Sequence, residues 1–66
     1  MTADVNRIRV TMEQMDRLLR ALEDLRLNVL PTNPQLFAAM AEAPLDDLRR
    51  LRGEINQCVV ELAPSA

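Results

Sequence analysis

The sequence predicts an all-α fold: a long helix, a short proline-bracketed helix and a medium helix in an antiparallel hairpin, completing a helical bundle by dimerisation. Three observations carry that expectation. Apolar residues recur at alternating spacings of three and four along both halves of the chain, the period of a helix with one buried face. One glycine and a single aromatic, Phe37, in 66 residues leave little for the turns and cross-strand pairs of β-structure. The strongest helix breakers, Pro31, the Asn33-Pro34 pair and Pro44, fall together near the middle, where a hairpin needs its connection.

The first element is read as a helix from about residue 4 to 29. Val5, Ile8, Met12, Met15, Leu19, Leu22 and Val29 form its stripe, interrupted only where Arg26 takes the next place. Thr11, Leu18 and Leu25 flank that stripe and widen it to about three positions in seven, the width of a bundle-facing helix. Thr2 or Asp4 suits its N-cap, and Pro31 stops it. On the opposite side Glu13 precedes Arg17 and Asp16 precedes Arg20 by four residues, pairs that stabilise a solvated helix face by about 0.2–0.5 kcal/mol each.

The second element, 34–42, opens on Asn33 as cap and Pro34 at the first helical position, where its missing donor is not needed. It carries Leu36, Phe37 and Met40. Ala43-Pro44 is expected to break the chain, since proline suits a first turn and disfavours helical geometry just before it. The third element then runs from 45 to 62 with Leu48, Leu51, Ile55, Cys58 and Leu62 as its stripe. Asp46 and Asp47 would complement the positive end of its dipole. Gly53, on the polar side, costs about 1 kcal/mol against alanine and marks either a bend or a close approach. Residues 63–66 are expected to fray. At 1.5 Å per residue the second and third helices in series match the first.

A chain this short buries only about 60% of its surface, and that burial roughly offsets the entropy of ordering it. Cys58, the only cysteine, offers no disulfide to help. Two helices cannot enclose so wide a stripe, so a second copy is expected to do so. The surface assigned to that association, or to another protein, is Ile8, Met12, Met15, Leu19, Leu22, Phe37 and Met40. Methionine adapts to irregular contacts, and Phe37 can either anchor a neighbour in a pocket or plug the end of the hairpin.

The residue types narrow the chemistry. Histidine is absent and all eight basic residues are arginine, so no base stands ready to activate Cys58, Ser65 or a threonine. Cys58 falls on an apolar stripe and reads as core. One cysteine without histidine makes no zinc cluster, Asp46-Asp47 lacks the remainder of a calcium loop, and one glycine makes no phosphate loop. No enzyme activity, cofactor or metal is therefore expected. An alternative reading is a helical-bundle enzyme with an arginine-lined site around Arg26; against it, that side chain can cover apolar surface with its stem and place its head in water.

Net charge is −2, and no run of like charge draws in anionic polymers or lipid. Residues 36–55 do read as helix, break, helix followed by Arg49, Arg50 and Arg52, a helix-turn-helix alternative for a DNA-binding regulator. There the recognition helix would begin with Asp46 and Asp47, which phosphates repel. The longest apolar run, Leu36 to Ala41, is six residues, against the ~20 that span a bilayer. Mixed charge on the polar face and the lack of tryptophan argue against a membrane surface too. An unpaired cysteine suits the cytoplasm. The role this leaves is a small non-enzymatic helical interaction module of the adaptor, chaperone or regulator type.

Overall fold

The computed structural model describes residues 5–63, and over them the chain is an antiparallel hairpin of two helices. Helix α1 spans Val5–Asn28 and helix α2 spans Pro34–Leu62. The molecule is a rod of 50 × 18 × 18 Å, and no strand occurs among the described residues. The expected cap of α1 at Thr2 or Asp4 and the end of the expected frayed tail lie outside the described residues.

The connection is short because each of its residues has a defined task. Pro31 has no amide hydrogen with which to continue α1. Val29 N–H bonds the Leu25 carbonyl at 2.9 Å, and the Val29 carbonyl then accepts from the amides of Thr32 at 3.1 Å and Asn33 at 2.8 Å. Thr32 Oγ1 donates to the same carbonyl at 3.2 Å. Asn33 caps α2 as expected: its Oδ1 accepts from the Leu36 amide at 3.0 Å, and Pro34 occupies the first turn. Such a cap satisfies one of the otherwise orphaned amides of a helix start.

The expected division into a short and a medium helix is corrected. Residues 34–62 form one continuous helix, with Pro44 in its interior. An internal proline removes a donor and crowds the carbonyl four residues back, a cost of about 3 kcal/mol or more. Sequence register explains why the helix persists. Phe37, Ala41, Pro44, Leu48, Leu51, Ile55 and Cys58 recur at alternating spacings of four and three straight across the proline, and each is buried or half-buried. A break at Ala43 would put the two halves of that seam out of phase.

On α1 the matching seam is Ile8, Thr11, Met15, Leu18, Leu22, Leu25 and Val29, again buried or half-buried. This is a rotation from the expected stripe. The residues read as flanking, Thr11, Leu18 and Leu25, face α2, whereas Met12 and Leu19 are 57% and 54% exposed. The core is thin. Ala41, Leu51 and Cys58 are its buried apolar residues, Thr11 is buried with them, and no described side chain falls below 2% exposure. Cys58 thus sits in the core, as its position on the stripe indicated.

Gly53 is free of close neighbours: a Cβ there would meet nothing within 4 Å, and its backbone is ordinary helix. Close approach is not the reason for it. Asp46 and Asp47, read as helix-start residues, now lie mid-helix, where Asp46 pairs with Arg49 at 2.8 Å and Asp47 with Arg50 at 3.9 Å.

Candidate interaction surface

Two seams at heptad spacing divide the rest of the hairpin into two broad faces. On one face Gln14, Arg17 and Leu18 line an open depression of about 280 Å³ with Asp47, Arg50 and Leu51. That grouping sets the register: Leu18 stands about level with Asp47 and Leu48. It also fixes which flanks lie together. Gln14 precedes the seam residue Met15, and Asp47 precedes Leu48, so these are equivalent flanking positions. In an antiparallel pair equivalent flanks share a side.

The other broad face therefore carries the residues that follow Thr11 and Leu18 on α1, and those that follow Pro44, Leu51 and Cys58 on α2. They are Met12 and Leu19 on α1, continued by Val5 and Arg26, and Leu45, Arg52 and Val59 on α2. Val5, Met12, Leu19, Leu45 and Val59 are all exposed. In level they form two apolar layers, Val5 with Val59 and Leu19 with Leu45, with Met12 beside Arg52 between them. A second depression of about 890 Å³ lies over Val5, Ile8 and Met12 and is rimmed by Arg9, Asp16 and Arg20. All its lining comes from α1, so it has no opposing wall.

The seven residues assigned from sequence to an association surface separate accordingly. Ile8, Met15, Leu22 and Phe37 are half-buried in the seam between the two helices. Met12 and Leu19 lie together on the open face. Met40 is exposed on the opposite, polar face, near Leu36. Val5, read from sequence as part of the first stripe, belongs to the open face, as do Leu45 and Val59, which flank the stripe of the last element. Their signal was present: Val5 precedes Met12 by one heptad, and Leu45 and Val59 each lie one heptad from Arg52, but only the packed register shows that the two flanks adjoin.

The charged side chains are mostly satisfied within their own helix. Asp16 pairs with Arg20 at 2.9 Å, as expected, while Glu13 pairs with Arg9 at 2.9 Å rather than with Arg17. Arg50 reaches Glu54 at 3.1 Å. Arg26 lies on the surface with its guanidinium against the Glu23 carboxylate, Nε donating to Oε1 at 3.1 Å and Nη2 to Oε2. The hydrogen bond from Arg26 holds the Glu23 carboxyl below its ordinary pKa, and Glu23 raises that of Arg26. The arginine singled out from sequence is thus half of an exposed ion pair. The break that a helix-turn-helix over residues 36–55 would need is replaced by continuous helix.

Among the described residues no cluster of three or more metal-ligating side chains occurs, and no helix is long and apolar enough to cross a membrane. No family model matches the chain, and no curated protein or solved structure is significantly similar to it.

The total exposed surface is 5205 Å², whereas a folded monomer of this mass exposes roughly 4,200 Å². An elongated rod of 50 × 18 × 18 Å exposes more surface than a compact globule of the same mass. Among the described residues four are buried, and one broad face is mostly apolar.

Proposed function

We propose that this chain is a small non-enzymatic helical interaction module, of the adaptor, chaperone or regulator type, acting in the cytoplasm through its apolar helix faces. Its first partner is a second copy of itself, and the polar broad face with Leu36 and Met40 is left for any other protein. The observation that carries this reading is the open face of Val5, Met12, Leu19, Leu45 and Val59 on a hairpin whose own core is four residues deep. Contiguous exposed apolar surface on a chain this small is a recognised mark of an interaction site, and four-helix cores are commonly made from paired hairpins.

The test is the mass in solution, by light scattering after gel filtration from micromolar to submillimolar concentration, read beside far-ultraviolet circular dichroism. The expected result is a stable mass twice the chain's 7.5 kDa, with helicity matching two long helices. A fully helical monomer at every concentration overturns self-association as the role of the open face. A monomer with little helix overturns it as well, and makes a different protein the obligate partner.

A further inference from the structure

Resting on the reading above that the open face binds a second copy, we infer that the two hairpins pair antiparallel, with their loops at opposite ends and Arg52 of each opposite Glu42 of the other. The argument starts from the two charges on α2 that have no partner within the described hairpin. Most acids and arginines on α2 find a partner three or four residues away. Arg52 and Glu42 have no ion pair or hydrogen bond among the described residues. Both are exposed. Arg52 lies on the open face itself, and Glu42 lies at its rim, next to the row that holds Leu45.

These two opposite charges are ten residues apart, and midway between them is Asp47, level with Leu18 on α1. A two-fold axis crossing the open face at that level lays α2 antiparallel on its own copy. It carries Arg52 onto Glu42 and, by symmetry, Glu42 onto Arg52. The same axis brings Leu19 and Leu45, which lie within about two residues of it on their helices, together with their copies. Four leucines then fill the centre, and the two charge pairs stand at either side. Arg9 and Arg26 come near each other in this arrangement, but each arrives already neutralised, by Glu13 and Glu23. A parallel pairing instead sets Glu42 level with Glu23 of the copy and leaves Arg52 beside Met12. An isologous interface of this kind closes after two chains.

The experiment combines a distance with a charge swap. A spin label is placed at the loop through Thr32→Cys in a Cys58→Ala background. Thr32 is fourteen residues beyond Leu18, so antiparallel loops stand about 40 Å apart at 1.5 Å per residue; parallel loops stand within about 20 Å, two helix spacings. In the otherwise unmodified chain, Arg52→Glu and Glu42→Arg are each expected to weaken dimerisation about tenfold, because each sets two like-charge contacts. The double variant is expected to return to within about threefold of the original. A dimer with close loops, or a double variant as weak as the sum of the two single changes, overturns the antiparallel pairing and leaves the interaction module standing. An original chain that remains at 7.5 kDa overturns both.

Discussion

The two broad faces of this hairpin flank the same seam, share the same helices and differ in almost everything else. One presents Gln14, Arg17, Asp47, Arg50 and Glu54; the other presents Met12, Leu19, Leu45 and Val59 around Arg52. In a two-helix rod neither face is needed to close the core, so a chain selected only to fold as a monomer would gain nothing from keeping one of them apolar. The difference teaches that the width of the stripe on α1 has two separate uses. Two positions in seven pack against α2, and the third lies beyond the reach of the helix that shares its own chain.

That division is tested most severely at the seam. Leu51, 3% exposed, contacts the opposite helix where the core is deepest. Leu51→Ala is expected to cost about 2–5 kcal/mol, a large share of the stability of any domain of this size. Urea unfolding followed by circular dichroism measures it, and helix content and association are expected to be lost together. If Leu51→Ala cost no more than an exposed leucine truncation, the seam assigned here would be wrong.

The faces themselves separate in a matched pair of substitutions at nearly one level of α1. Leu19→Asp on the apolar face is expected to weaken self-association by about thirtyfold or more, the effect of a central interface residue worth about 2 kcal/mol. Ala21→Asp, two residues away on the polar face, is expected to leave it unchanged. Sedimentation equilibrium reads both. Equal losses would mean that association does not distinguish the faces.

How far all this was legible in the sequence follows from what periodicity can and cannot encode. The 3–4 spacing identifies helices and an apolar side, and the Asn33-Pro34 start is local chemistry that the structure repeats. The centre of the stripe was harder, because Met12 and Leu19 are more apolar than Thr11 and hydrophobicity alone pulls the reading toward them. What decides the matter is the geometry of the partner helix, which selects the row containing Leu18 and Leu25 and buries Thr11 with it. Pro44 misled for a related reason. Its local preference argues for a break, but a seam in register from Phe37 to Cys58 holds both sides to one axis, and tertiary packing outweighs a single residue's propensity. The adjacency of Val5 with Val59 and of Leu19 with Leu45 is a property of the antiparallel register and exists on neither helix alone.

A smaller change sharpens the same picture from the outer surface. Gly53 faces open space in ordinary helical geometry, so Gly53→Ala adds a methyl that meets nothing. It removes the backbone entropy cost of glycine and is expected to raise stability by about 1 kcal/mol. Thermal unfolding should show the gain with no change in solution mass, since position 53 belongs to neither broad face. A loss of stability would place an unseen neighbour against α2 there.

The smallest effect concerns Glu23 and Arg26, at the loop end of the apolar face. The Arg26 hydrogen bond lowers the Glu23 carboxyl below its ordinary value of 4.5. A lowered folded-state pKa means that the unfolded chain takes up this proton first on acidification. The pair's contribution is therefore fully present above pH 4.5 and is lost as the pH falls through the lower, folded-state value. Both groups are exposed, so the effect on unfolding is slight and salt screens it. Comparing the acid limb of the stability profile with that of Glu23→Gln isolates it: the variant should be slightly less stable at pH 7, lose part of the slope below pH 4.5 and converge with the original chain in acid. The same comparison bears on the open face. An Arg26 released from Glu23 at low pH stands as a second free cation beside the apolar rows, near Arg9 of an antiparallel copy. Acid should then weaken the dimer of the original chain, and Glu23→Gln should weaken it already at neutral pH.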